Sequence, residues 1–266
     1  MLDVEFAQLT DAGLVRNHNE DYLGYIVPGS SEEARSRGWL FALADGVGGQ
    51  RQGEVASRAA ITEVLGGFRR TGGRPMHKDV LADLVRAANA RICETEALAG
   101  AAGAGMSSTI VVCALRFDRA TVAHVGDSRC YLVRGGKARL LTRDHTVAAE
   151  QVRMGLLSAQ EAAEAETRHV LSRSLGSGLF VNVEVDELLI QAEDVLLLCS
   201  DGLYGALSDS ELARQLAGKP DLAVAAKELI HRANEEDGSD NISVQLVRIR
   251  SVERMGMYRG RPYKLQ

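Results

Sequence analysis

Four aspartates in this chain each adjoin an apolar run. WLFALADGVGGQRQG, residues 39–53, ends its apolar stretch at Asp45, and Gly46, Gly48 and Gly49 follow within four residues. VLLLCSDG, residues 195–202, repeats the arrangement with Asp201 and Gly202. GSDNIS places Asp240 just before a last apolar run, and VAHVGDSR places Asp127 just after one. A single Asp-Gly at a strand end is ordinary turn chemistry. Four such acids suggest convergence at one sheet edge, where carboxylates repel one another unless a cation lies between them. The donors are all oxygen, with no His or Cys repeated at metal-ligand spacing, which suits Mg²⁺ or Mn²⁺ better than zinc or copper. Glycine after Asp45 lets the backbone come close and turn its carbonyl inward as a further oxygen ligand. In DAGLVRNHNED, residues 11–21, Arg16 precedes Glu20 by four residues and Asp21 by five. Its planar fork matches a pair of phosphate oxygens. Taken alone, that segment reads equally as a charged loop between strands.

Those acids need rigid elements behind them. Residues 4–10, 21–27 and 39–44 have strand character, and from about Gly53 to Phe68 the apolar period becomes helical, with Ile61, Val64, Leu65 and Phe68 on one face. A second helix carries Leu81, Leu84, Val85, Ala88 and Ile92, and residues 99–105 form a small-residue loop. Strands resume at 108–117, 121–125 and 129–133, and Gly135-Gly136 predicts a hairpin into 138–141. Residues 146–166 are polar and helical, with a capping box from Ser158 to Glu161; a second box joins Ser208 to Glu211. Strands at 181–189 and 194–199, a helix at 222–234 and a strand at 242–249 complete the pattern. Hairpins outnumber βαβ units, so the fold class is α+β, with mostly antiparallel sheet and helices outside.

Composition sets outer limits. The chain has 266 residues, of which only four are prolines, and no Pro/Ser-rich linker divides it, so a single domain is expected. A net charge of −5 argues against nucleic acid or an anionic membrane as the main partner. The N-terminus has no apolar core of a signal peptide, and runs such as Thr109–Leu115 are too short to cross a bilayer, so a cytoplasmic protein is expected. Cys93, Cys113, Cys130 and Cys199 show no C-x-x-C pair and read as four buried thiols.

Taken in order, GLVRNHNED, ALADGVGG, GMSSTIV, VAHVGDSRCYL, LTRDHT, VLSRSLG, LLLCSDGL and GSDNIS resemble the metal-dependent protein phosphatases of type 2C, the bacterial branch in particular. The resemblance runs from about residue 5 to residue 250. It implies two antiparallel sheets packed as a sandwich with helices on both sides, in α-β-β-α layers. It implies one catalytic domain over residues 1–250, with a mobile flap at about 146–170. It further implies hydrolysis of phosphoserine and phosphothreonine on proteins, by direct attack of a water or hydroxide held by two metal ions, Mn²⁺ or Mg²⁺, with a third ion in some relatives. By position, Asp45 would bridge the pair and the Gly46 carbonyl would bind one ion. Asp201 and Asp240 would complete the second, and Asp127 with Asp201 would form the third site. Glu20 and Asp21 would contact metal-associated water, and Arg16 would hold the substrate phosphate. Phosphorylated proteins, a Ser/Thr kinase or its targets among them, would be the partners of a monomer.

The chain departs from the family pattern in places. Val47 stands where many eukaryotic relatives carry a His thought to act as an acid, which leaves metal-associated water, or His18, to protonate the leaving group. The His-Pro often found before the flap arginine is missing, although Arg168 remains. After Glu253 the tail, residues 251–266, holds Arg254, Arg259, Arg261 and Lys264 and no acid, and is expected to be solvated. Cys113 and Arg119 match the C-x5-R of cysteine phosphatases, but ALRFD between them lacks the small residues of a phosphate cradle. The rival from another class is a catalytically weak, phosphoprotein-binding regulator of the same fold; such proteins usually lose a metal Asp, and none is lost here.

Overall fold

The central strands read as unbroken apolar runs because both of their faces are covered. On the strand Trp39–Val47, Phe41 and Leu43 point into one core while Leu40, Ala42 and Ala44 point into another. The computed structural model describes residues 1–47, 52–71, 78–100, 105–218, 221–258 and 261–264. In chain order its elements begin with β1 (Asp3–Asp11), β2 (Asp21–Ile26), α1 (Ser31–Ser36), β3 (Trp39–Val47), α2 (Gln52–Arg70) and α3 (Lys78–Ala99). β4 (Ser107–Ser108), β5 (Ile110–Arg116), β6 (Arg119–Val125), β7 (Arg129–Arg134) and β8 (Lys137–Leu140) follow. Next come α4 (Val147–Arg153), α5 (Ala159–Glu164), a 3-10 turn at Glu166–His169, β9 (Glu184–Leu189) and β10 (Val195–Cys199). The chain closes with α6 (Asp201–Tyr204), α7 (Asp209–Leu216), α8 (Leu222–Glu236), β11 (Ile242–Ser251), β12 (Met255–Tyr258) and β13 (Arg261–Lys264).

Two antiparallel sheets form the body. One has the order β1-β11-β10-β7-β8; the other runs β2-β3-β5-β6-β9, with β4 also paired to β3. Phe41, Leu43, Val111, Cys113 and Leu115 of the second sheet meet Leu132, Leu196, Leu198, Val247 and Ile249 of the first in a shared core. α2 and α3 cover the outer face of the second sheet with Ile61, Val64, Phe68, Leu81, Val85 and Ile92. α7 and α8 cover the outer face of the first with Leu212, Leu216, Leu222, Leu229 and Ile230. The result is the α-β-β-α sandwich expected. No helix among the described residues is long and apolar enough to cross a membrane.

Local chemistry accounts for the boundaries. Gly135 and Gly136 both have positive φ, +57° and +73°, which is the backbone of a two-residue hairpin turn, and Arg134 pairs with Lys137 across it. Both capping boxes form, at Ser158–Glu161 and Ser208–Glu211. The polar helical stretch 146–166 forms two helices, with Gly155 at a φ of +73° between them and Ser158 capping the second start as its capping box implies. The expected strand at 108–117 splits between β4 and β5, where the Thr109 N–H leaves the ladder to donate to the Asp45 carbonyl at 2.8 Å. The expected strand at 181–189 begins only at Glu184. Three cysteines are buried, but Cys93 is only half-buried, so the expectation of four buried thiols holds for three. The tail pairs on itself, with Met255 opposite Lys264, as a two-stranded ribbon. Residues 101–104 of the small-residue loop and Arg259 lie outside the described residues.

The inter-sheet core makes a testable demand. Leu43→Ala, at a fully buried position, is expected to lower the unfolding free energy by about 2–5 kcal/mol. Leu98→Ala, at an exposed position on α3, is expected to change it by no more than about 0.5 kcal/mol. Urea unfolding followed by circular dichroism compares them, and similar shifts for the two variants would contradict the packing described.

Candidate active site

Antiparallel register puts the first two acids face to face. Asp21 on β2 is the direct partner of Asp45 on β3. Like charges opposite one another in a ladder are destabilising, and burial sharpens the conflict. Asp201 enters from the first turn of α6, just beyond β10, and Asp127 from the turn between β6 and β7. Asp240 precedes β11, and Glu20 precedes β2. A cavity of about 530 Å³ is lined by Arg16, Glu20, Asp45, Gly46, Asp127, Asp201 and Asp240. Asp21 sits against its wall, buried, with Oδ2 accepting from the Ser200 hydroxyl at 2.8 Å. All eight residues singled out from the sequence are therefore brought to one place.

The electrostatics follow from that crowding. Burial first, and then Asp21, Asp201, Asp127 and Asp240, push the Asp45 carboxyl well above the usual carboxylate range. Burial raises Asp21 to about 7, against the hydrogen bonds from Ser243 and Ser200. Burial and the Asp201 charge raise Asp127 to about 7, and the Tyr204 hydroxyl partly offsets them by hydrogen bonding. Asp201 and Glu20 are also raised, chiefly by burial. One cation faces this group directly: the Arg16 guanidinium donates to Asp240 Oδ2 at 2.7 Å.

The donor set fits a hard divalent cation. Asp21 Oδ1 is buried and has no hydrogen-bond partner. An orphaned, buried carboxylate oxygen beside several mutually repelling carboxyls calls for positive charge, and Mg²⁺ and Mn²⁺ take oxygen ligands. A second group of ligand-type atoms lies elsewhere: His124, His145 and Glu184 bring one atom each within 4.8 Å of the others.

Glycine has a concrete task at both Asp-Gly steps. A Cβ on Gly46 would stand 2.1 Å from the Gly53 carbonyl oxygen, so Gly46 lets α2 begin directly against the strand end. A Cβ on Gly202 would stand 2.2 Å from the Asn241 carbonyl oxygen, so Gly202 lets α6 press against the Asp240 segment. Gly48 and Gly49 lie outside the described residues. Val47 lines the cavity and carries no proton to give. The backbone carbonyl of His18 accepts from Asn241 at 2.9 Å, and its ring is not among the described side chains lining the cavity. Cys113 is buried inside β5 and Arg119 pairs with Glu187, so the C-x5-R match is coincidental.

Several contributors had no signal in the sequence. The Asn241 side chain accepts from the Glu20 N–H at 2.8 Å and donates to the Ala12 and His18 carbonyls, which pins the loop carrying Arg16. Ser200 supports Asp21, and its hydroxyl oxygen accepts from the Ser243 N–H. Arg129 forms a two-pronged pair with Asp144, at 3.0 and 2.7 Å, and stacks 3.6 Å from the Tyr204 ring centre. His169 of the flap turn reaches the cavity with Nδ1 3.8 Å from Asp201 Oδ2, while its Nε2 accepts from Arg168. Each of these roles depends on a partner distant in sequence, which periodicity and spacing do not reveal.

Comparison with known proteins meets the same site. A family model described as protein phosphatase 2C matches residues 17–247. The serine/threonine phosphatase stp of Listeria innocua is 33% identical over 258 residues, covering 95% of this chain and 96% of its own. A serine/threonine phosphatase structure from S. agalactiae superposes with a TM-score of 0.83 at 31% identity, over 93% of this chain and 100% of that one. The catalytic domain of the serine/threonine protein phosphatase PstP, in complex with two manganese ions, superposes with a TM-score of 0.80 at 30% identity, over 94% of this chain and 100% of that one. The chain belongs to the protein phosphatase 2C family and is a metal-dependent serine/threonine phosphatase of its bacterial branch.

Proposed function

We propose that the carboxylate cavity is the catalytic centre, and that it hydrolyses phosphoserine and phosphothreonine on proteins through a pair of divalent ions. The observation that carries this reading is the opposition of buried Asp21 and half-buried Asp45, with Asp45, Asp127, Asp201 and Asp240 lining one cavity. Asp45 and the Gly46 carbonyl would hold the first ion, and Asp45, Asp201 and Asp240 the second. Asp127 and Asp201 would hold a third. Mn²⁺ is supported by the two manganese ions in the PstP structure, and Mg²⁺ by the same oxygen chemistry. When bound, the ions supply the positive charge that acidifies a water molecule and offsets charge on the phosphoryl oxygens.

The remaining work falls to the chain. Asp21 and Glu20 accept hydrogen bonds from water and so orient it. Arg16, half exposed at the cavity mouth, presents its fork to the phosphoryl group, with Asp240 holding its other edge. Asn241 keeps that loop in place. No side-chain nucleophile is required, which agrees with the inert setting of Cys113. Phosphorylated proteins, a Ser/Thr kinase or its targets among them, are the substrates in this reading, and three buried reduced thiols support a cytoplasmic setting. The relatives favour turnover over the phosphoprotein-binding regulator.

The direct test is hydrolysis of p-nitrophenyl phosphate and a phosphothreonine peptide in Mn²⁺, Mg²⁺ or EDTA. Turnover is expected to need the divalent ion and to fall to the EDTA level in Asp201→Asn; folded protein inactive with every metal would sink the reading. Arg16→Ala is expected to lower kcat/KM by about 10²–10³-fold, and an unchanged value would remove Arg16 from the phosphate.

The raised carboxyls also predict a pH dependence. Asp21 binds its proton more tightly folded, near 7, than in the unfolded chain, where 3.8 applies. Its contribution to metal-free stability is therefore full below about pH 4 and is lost as pH rises through 7. In EDTA, Asp21→Asn is expected to melt above the wild type at pH 8, with the gap closing towards pH 5. A gap that widens as pH falls would show that Asp21 is not raised.

A further inference from the structure

Outside the cavity, two buried imidazoles stack with ring centres 4.8 Å apart and planes 14° from parallel. His124 lies near the end of β6, and His145 lies between β8 and α4. Burial drives both towards the neutral form, His145 to about 4. How a neutral ring is used then depends on which nitrogen keeps the proton.

Two obligate donors approach the His145 ring, the Gly126 N–H at Nδ1 and the Arg173 guanidinium at Nε2, and a neutral ring accepts at only one of them. The Gly126 N–H donates to His145 Nδ1 at 3.1 Å, so Nδ1 presents its lone pair. The proton therefore sits on Nε2, which faces Glu184 Oε1 at 3.2 Å. A ring used in this way has no lone pair left for a metal. The Arg173 guanidinium, 3.1 Å from Nε2, has the Asn182 carbonyl at 3.3 Å and the Glu184 carboxylate at 3.6 Å as other acceptors and can give up the ring, whereas the Gly126 backbone N–H cannot turn away from Nδ1. The charge of Arg173 further opposes a cation there. The closeness of His124, His145 and Glu184 thus has another purpose.

That purpose is visible one residue before Asp127. His145 also donates its backbone N–H to the Gly126 carbonyl at 3.1 Å, so one residue holds both main-chain groups of Gly126. Gly126 has a φ of +100°, and a Cβ there would stand 2.6 Å from Thr109 Cβ, so the turn tolerates no other residue. On the other side of Asp127, Ser128 Oγ and Thr109 Oγ1 lie 2.6 Å apart. His145 also ties this turn to the flap. Its carbonyl accepts from the Ser172 N–H at 2.9 Å, and Thr146 bridges Leu171. We propose that His145 is a positioning residue that holds the Gly126–Asp127 turn, and so the Asp127 carboxylate, in register with Asp201, and links that turn to both ends of the flap. The inference rests on the reading of Asp127 as a metal ligand.

The test compares His145→Leu, His145→Asn and Asp127→Asn in the full chain by Mn²⁺ titration calorimetry, with kcat and KM measured against Mn²⁺. Asp127→Asn is expected to lose the weakest Mn²⁺ step. His145→Leu is expected to weaken that same step by about 10–100-fold, leaving the tighter steps and kcat at saturating Mn²⁺ near wild type. His145→Asn, whose amide oxygen takes the place of Nδ1 as acceptor, is expected to restore most of it. Unchanged steps in folded His145→Leu, with one step lost in Asp127→Asn, would overturn this inference and leave the metal reading standing. All steps intact in Asp127→Asn would instead overturn the reading beneath it. A second measurement needs no variant: ¹⁵N NMR of the His145 ring is expected to show the proton on Nε2. A proton on Nδ1, or stoichiometric Zn²⁺ binding at His145, would overturn the proposal even if the leucine variant fails to fold.

Discussion

The register that sets Asp21 opposite Asp45 is the constraint from which the rest of this structure follows. A buried carboxylate facing a half-buried one across a ladder is unfavourable in an isolated sheet. They persist because the surrounding sandwich supplies more apolar burial than the pair removes, and a cation, as proposed above, would offset their charge. Around them the protein invests its short-range polar contacts. Ser200 and Ser243 support Asp21, Tyr204 supports Asp127, and Asn241 ties the Arg16 loop to the Asp240 segment. The outcome is an acidic floor braced by polar contacts on several sides.

The two sheets converge on this floor by similar means. Each sends a strand, β3 or β10, to an Asp-Gly step, and in each case the glycine lets another backbone come to within van der Waals range. Gly46 admits the start of α2, and Gly202 admits the Asn241 carbonyl. The same economy of side chains that frees space also fixes the carboxylates, because each strand end is braced by the segment packed against it. Asp45 is further locked by Thr109, which accepts from its N–H through Oγ1 and donates to its carbonyl from its own N–H. In the two-ion reading proposed above, Asp45 would need this rigidity, since small displacements degrade a ligand's geometry.

Residues 143–172 meet the acidic floor through several polar contacts. His145 grips Gly126 and the flap exit together, Arg129 and Asp144 brace Tyr204 against the cavity, and His169 reaches towards Asp201. A cleft of about 880 Å³ separates α4 and α5 from Arg129 and Tyr204, and it shares His169 with the catalytic cavity.

The sequence by itself determined the layers and the principal acids. Apolar runs broken by Asp-Gly, the helical period of Ile61 to Phe68, two capping boxes and the Gly135-Gly136 hairpin are local signals, and each appears in the structure where its chemistry places it. Four strand-end aspartates with Arg16 and Glu20 were legible because metal and phosphate chemistry restrict the residue types that serve. The tertiary structure alone decided the cross-strand facing of Asp21 and Asp45, the hold of Asn241 on the Arg16 loop, the approach of His169 and the hold of His145 on Gly126. It also decided that Cys93 stays half-buried. The physical reason is range. Turn, cap and periodicity signals act over a few residues, whereas these contacts join segments 19 to more than 200 residues apart, and only the packing of the two sheets brings them within hydrogen-bonding distance.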